Sequence, residues 1–234
     1  MKALVFDSSS LISIATNNLL WILPLLKKRF NGEFFITESV KNELINVPLK
    51  SKKFKLEAMQ MLSLIAEGVI KIYKSEELGN KSQRMTDLAN SAYIARETYI
   101  KIIQKAEVES LILSAMLDCV YVVDERTMRL LVEDYKALAN IFSEKLHAEI
   151  KINEKNISML NKEVHKVPII RSVEIMTIAY KLGMMNSYLN PEENKIININ
   201  LRRNLLDGLL WGLRLRGCSV SSKEIADIMT LNGF

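Results

Sequence analysis

Short apolar runs separated by helix-length amphipathic segments constrain this chain more than any other feature. The runs are "ALVF" (Ala3–Phe6), "EFFIT" (Glu33–Thr37), "VIKIY" (69–73) and "VYVVD" (120–124). The first and last are apolar at every position up to an acid, the pattern of a strand buried on both faces. Parallel strands need crossover connections, so strands that alternate with helices predict an α/β fold: a mainly parallel sheet of four to five strands with helices on both faces. Such sheets bind their ligands at the carboxyl ends of the strands. Asp7 and Asp124 stand there.

The segments between the runs have apolar residues at helical spacing. "SSSLISIATNNLLWILPLL" reads as helical with the three serines as candidate caps, and "ESVKNELIN" as a helix with Thr37 as its N-cap. In "KFKLEAMQMLSLIAEG" the spacing of Leu56, Met59, Leu62 and Ile65 predicts a helix that stops at Gly68. A polar stretch (74–84) precedes a long helical region running to Ile103, and "AEVESLILSAMLD" forms the next helix. Residues 136–166 turn polar and rich in Lys, Asn and Glu, which predicts a mainly helical insertion or linker. Beyond it, "RSVEIMTIAYKLGMM" ends near Gly183, "NLLDGLLWGLRLRG" ends at Gly217, and "SSKEIADIMTLNGF" opens with a capping box formed by Ser221 and Glu224. "NPEENKIININ" (190–200) reads as a loop with a short extended piece. The expected divisions are therefore a sheet-bearing domain at 1–135, the insertion at 136–166 and a helical region at 167–234.

Composition narrows the chemistry. With 49% hydrophobic and 25% charged residues, 8 Gly and 4 Pro in 234 residues, the chain has the makeup of a folded, helix-rich protein. Its longest apolar stretch, "LLWILPLL" (19–26), is too short to span a bilayer, and Lys2 leads straight into a strand, so a cytoplasmic location is expected. Cys119 and Cys218 are far apart and read as buried reduced thiols. His147 and His165 are too isolated for a zinc site. Metal chemistry here must use oxygen ligands, which points to Mg2+ or Mn2+. A net charge of +5 and basic runs at "LKKRF" (26–30) and "LKSKKFK" (49–55) are compatible with a polyanionic partner.

Carboxylates gather at element ends. Asp7 ends the first strand, Glu43 sits in the helix after the second, Glu107 and Glu109 open the helix before the last strand, and Asp124 with Glu125 ends that strand. Crowded carboxylates beside a sheet core repel and resist ionisation, and a divalent cation relieves both problems. Each also has a plain structural reading: Asp7 as a helix cap, Asp124 as the N-cap of "ERTMRLL", Glu43 and Glu109 as ordinary surface residues. Glu107 and Glu109 lie about 200° apart around a helix, so they cannot both face one ion. Asp124 and Glu125 are neighbours at a strand end and face opposite ways.

In this order and spacing the segments "LVFDSSSLI", "FFITESVKNEL" and "AEVESLILSAMLDCVYVVDER" resemble the PIN domains, metal-dependent nucleases built on a parallel sheet. The carboxy-terminal segments "IIRSVEIMTIAYKLGMM" and "LLDGLLWGLRLRGCSVSSKEIADIM" resemble the helical extension of a prokaryotic, toxin-like subgroup. The resemblance covers residues 1–134 and, more loosely, 167–234. It implies a ribonuclease that cuts single-stranded RNA with one or two Mg2+ or Mn2+ ions, held by Asp7, Glu43, Glu109 and Asp124 or Glu125. Ser9 and Glu107 would support that centre from behind. Lys52, Lys53, Arg126 and Arg129 are the candidate RNA contacts. A homodimer and a small antitoxin or other protein partner are implied as well, and no membrane. Three positions depart from the subgroup: Ala106 where Gly is usual, Glu125 in place of a second aspartate, and a longer segment at 136–166. They leave open a second reading, a PIN-like scaffold that binds RNA or protein without cutting.

Overall fold

The computed structural model describes residues 2–189 and 200–234, so the loop expected at 190–200 lies, apart from Asn200, outside the described residues. From the amino end, β1 (Ala3–Phe6), α1 (Ser8–Thr16) and α2 (Ile22–Phe30) lead to β2 (Glu33–Thr37). Next, α3 (Glu38–Lys41) runs through a π-helical turn (Asn42–Asn46) into the single turn α4 (Val47–Leu49). After α5 (Lys55–Ala66) and β3 (Lys71–Tyr73) come α6 (Glu76–Ala89), the hairpin of β4 (Tyr93–Ala95) and β5 (Thr98–Tyr99), and α7 (Lys105–Leu117). The chain continues through β6 (Val120–Val122), α8 (Arg126–Glu133), α9 (Tyr135–Leu146), β7 (Ile150–Ile152), α10 (Glu154–Val164), β8 (Ile169–Ile170) and α11 (Ser172–Lys181). The last two helices are α12 (Leu201–Leu215) and α13 (Ser222–Leu231).

Five strands form one parallel sheet in the order β3-β2-β1-β6-β8. Its centre explains why the first run has no polar position. Ala3 and Val5 enter one core with Tyr121 and Val123, while Leu4 and Phe6 enter the other with Phe34, Ile36 and Val122. Helices α6, α7, α8, α9 and α10 contribute to the first core; α1, α2, α5, α11, α12 and α13 contribute to the second. The architecture is therefore α/β, a parallel sheet flanked by helices, with both faces of β1 buried.

Several expectations change. The first helical segment is two helices, because Asn18 takes a left-handed backbone (φ 56°) that breaks the run before Leu19. Pro24 then falls in the first turn of α2, where a missing N–H leaves no acceptor unpaired. The long helix expected to reach Ile103 ends at Ala89. Residues 93–99 form a hairpin whose two turn residues, Arg96 (φ 48°) and Glu97 (φ 62°), are both left-handed, the geometry of a type I′ turn made without glycine or asparagine. Strand β7 pairs antiparallel with β4, so the polar segment 136–166 is a helix, a strand and a helix that complete a second, three-stranded sheet. In α5 the buried face is Ala58, Met61 and Leu64, whereas Leu56 and Met59 are 70% and 56% exposed. Cys119 and Cys218 are free and buried. No described helix is long and apolar enough to cross a membrane.

The carboxy-terminal helices pack on the outer face of α1. At Gly212 of α12 a Cβ would stand 2.5 Å from Asn17 Oδ1, just past the end of α1, so a larger residue there would have to displace the Asn17 side chain. The capping box expected at Ser221 and Glu224 is present, with Glu224 N–H donating to Ser221 Oγ (3.1 Å) and Ser221 N–H to Glu224 Oε2 (2.8 Å).

Candidate active site

Asp7 is the first residue past β1. Its N–H donates to Val122 O (2.9 Å), which keeps it in line with β6, and its carboxylate caps α1. Oδ2 accepts both Ser9 N–H (3.0 Å) and Ser9 Oγ–H (2.6 Å). The Ser9 hydroxyl oxygen in turn accepts Asp124 N–H (3.1 Å), so one serine ties the ends of β1 and β6 together. The other oxygen, Oδ1, is buried with no hydrogen-bond partner among the described residues. Burial pushes the Asp7 carboxyl up to about 6, against the Ser9 hydrogen bonds and with help from the charge of Glu43.

Three other acids lie near enough for their charges to act within the same group. Glu43 is half-buried in the π-helical turn, a local widening of the helix that sequence periodicity does not announce. Glu107 is the N3 residue of α7, and its Oε2 accepts Gln104 N–H (2.7 Å) in a capping box. The entry to that helix is fixed from α6, where Asn90 Oδ1 accepts Ile102 N–H (2.7 Å) and Ile103 N–H (3.1 Å). Glu125 caps α8 by accepting Met128 N–H (2.8 Å). Burial pushes Glu107 up to about 7, and the negative charges of Asp7, Glu125 and Glu43 push the same way. Tyr121, whose hydroxyl donates to Glu107 O (3.3 Å), is held well above its usual value by burial and then by Asp7, Glu107 and Glu125. Asp7, Glu43, Glu107 and Glu125 thus form one electrostatic group drawn from four segments. Tyr121 was not foreseen; its only signal was a polar tip in an otherwise aliphatic strand.

Glu109 and Asp124 lie elsewhere. Glu109 is buried, with Lys105 Nζ 3.9 Å from its carboxylate, and the charges acting most strongly on Asp7, Glu107 and Tyr121 do not include it. Of the two acids on α7, it is therefore Glu107 that stands beside Asp7. Asp124 is fully buried and turned toward the carboxy-terminal helices. Its oxygens accept Ser172 N–H (2.7 Å) and Ser172 Oγ–H (2.6 Å), with Ser13 and Cys218 also facing it. Burial raises its pKa, and those hydrogen bonds only partly offset the rise. So the cap of α8 is Glu125, and Asp124 serves the first turn of α11.

The basic candidates differ in exposure. Lys52, Lys53 and Arg126 are exposed, whereas Arg129 is mostly covered, its Nε 3.6 Å from Glu133, too long for a hydrogen bond. In the run at 26–30, Lys27 is committed to the fold through Glu33 Oε2 (2.9 Å), Gly68 O and Val69 O.

Among the described residues no three His, Cys, Asp or Glu side chains are drawn together tightly enough to hold an ion as they stand. The donor set nevertheless suits a hard divalent cation: carboxylate oxygens only, one of them buried and unpartnered, and two carboxyls that resist ionising without a cation beside them. Comparison with protein-family models, with curated proteins and with solved structures returned no match.

Proposed function

We propose that this protein is a metal-dependent endoribonuclease of the PIN type, acting on single-stranded RNA. One observation supports the reading: carboxylates from four separate segments act on one another through their charges, and Oδ1 of Asp7, at the carboxyl end of β1, is buried without a partner among the described residues. The five-strand order and the flanking helices are compatible with that family, and the order of acids in the sequence supports it. Asp7, Glu43, Glu107 and Glu125 would hold Mg2+ or Mn2+. When bound, such ions activate a water and neutralise charge on a phosphodiester. Ser9 fixes the direction of Asp7, and Tyr121 holds the first turn of α7 through its bond to Glu107 O. Lys52, Lys53 and Arg126 are exposed and available to the phosphates. A homodimer and a small inhibitory protein partner belong to the same reading through the resemblance alone.

The test is cleavage of an end-labelled, unstructured RNA with Mn2+, Mg2+ or chelator. Wild type should cut only with the metal, and Asp7→Asn and Glu107→Gln should not cut. Equal cutting by wild type and Asp7→Asn would defeat the proposal. The wide spacing of the acids favours a second reading, a scaffold that binds RNA or protein without cutting it. Metal-independent binding with no cleavage at any Mn2+ concentration would establish that one instead.

A further inference from the structure

Beside the acids lies an apolar cleft between α1 and the α4–α5 connection, with an empty volume of about 430 Å³ that includes its open mouth. Its enclosed part is about 80 Å³, so a larger occupant rests partly in the open mouth, against Phe54. Leu11, Ile12 and Ala15 line it from α1, and Leu44 and Met61 from the other side. Phe54 also lines it while remaining 52% exposed. The polar lining includes Glu57 and, shared with the acid group, Glu43.

Phe54 is held in place before any ligand arrives. Its backbone is left-handed (φ 59°), and its carbonyl accepts Ala58 N–H (3.0 Å) at the start of α5. Just before it, Ser51 Oγ donates to Lys53 O (2.7 Å) and accepts Lys53 N–H (3.2 Å), which fixes the loop. The charge of that loop selects the occupant. Lys50, Lys52, Lys53 and Lys55 surround Phe54 in sequence, all are exposed, and among the described residues none of them joins an ion pair. A half-exposed aromatic face among unengaged lysines matches a polyanion that carries flat apolar rings.

We infer that the cleft takes one unpaired base of the RNA strand, stacked on Phe54, with Lys52 and Lys53 on the adjoining phosphates. The strand then passes Glu43 into the acid group. The identity of the strand rests on the nuclease reading above. Glu57 offers only acceptor oxygens, so it selects a base with adjacent N–H donors; guanine presents N1–H and the N2 amino group side by side, and uracil presents a single N–H.

The test is fluorescence anisotropy of the full chain in chelator, with labelled nonanucleotides U4GU4, U9, and U4-abasic-U4. Wild type should prefer U4GU4 over the abasic strand by at least about tenfold, and Phe54→Ala should weaken U4GU4 binding roughly 10- to 100-fold. Phe54→Trp should restore binding and Phe54→Leu should not; Glu57→Gln should narrow the preference for U4GU4 over U9. Equal affinity for U4GU4 and the abasic strand overturns the inference. So does full rescue by Phe54→Leu, which shows that apolar bulk and not a stacked ring supports binding. Mn2+-dependent cleavage together with equal RNA binding by wild type, Phe54→Ala and Phe54→Leu keeps the nuclease and removes the base site. Phe54-dependent binding of U4GU4 with no cleavage at any Mn2+ concentration does the reverse.

Discussion

Two groups of acids flank the end of β6, and they are built in opposite ways. Around Asp7, one carboxylate oxygen is buried without a partner among the described residues, and burial together with the charges of neighbouring acids pushes Asp7 and Glu107 up to about 6 and 7. Around Asp124, donors are at hand: Ser172 gives an N–H and an O–H, and Arg171 beside it donates to Ser219 O (2.9 Å) and Glu224 Oε1 (2.8 Å). Burial pushes Glu224 up, but hydrogen bonds from Ser221 and Arg171 prevail and bring it down to about 2. The two groups touch through Ser9, whose hydroxyl serves Asp7 on one side and Asp124 N–H on the other. The unfinished group has the character of a site; the finished one is a clasp that fixes the carboxy-terminal helices to the sheet.

The contrast is broken most directly at Asp7. Asp7→Asn should lower metal-dependent RNA cleavage by at least about 100-fold, read from single-turnover rates, while leaving the metal-free protein as stable as before or more so. Loss of stability in step with activity would make Asp7 a structural residue like Asp124. Next in size, Asp124→Ala leaves the Ser172 donors buried and unpaired and should cost about 3 kcal/mol in urea unfolding. A small cost with abolished cleavage would move Asp124 into the reactive group.

The pH dependence has opposite signs at Asp7 and Glu224. A carboxyl raised in the folded state opposes folding when ionised, so the cost at Asp7 is full above pH 6, falls as pH drops, and is gone below 3.8. It amounts to about 3 kcal/mol. Glu224 is lowered, so its contribution is present above pH 4.5 and is lost as pH falls through about 2. Thermal unfolding in chelator should therefore show higher stability near pH 5 than near pH 8, and a decline towards pH 2. Adding Mn2+ at pH 8 should recover much of the difference; no response would mean that the ion does not engage Asp7. The smallest effect belongs to Glu109→Gln, which should change cleavage less than about threefold. A larger drop would bring Glu109 back beside the metal.

Local rules carried much of the fold. The runs at 3–6, 33–37 and 120–122 became strands of the parallel sheet because they satisfy burial on one or both faces, and Thr37 and Ser221 cap helices because their side chains reach an orphan N–H nearby. The hairpin at 93–99 was hidden because Arg96 and Glu97 adopt left-handed turns without the usual residues, supported by β7 more than fifty residues away. The exposed Leu56 and Met59 misled the reading of α5, since an apolar side chain reports its face only if something covers it.

The acids divide the same way. That carboxylates stand at the ends of β1 and β6 and early in α7 follows from the sequence alone, because strand ends and helix starts are set by neighbouring residues. Which member of each pair turns inward was decided by tertiary structure. Glu107 is held at the start of α7 by its bond to Gln104 N–H, and Asn90 anchors the chain that leads into that helix. Asp124 turns toward the carboxy-terminal helices because Ser172, forty-eight positions later, supplies two donors. A side chain's direction depends on partners brought by packing, and no local pattern encodes a partner that distant.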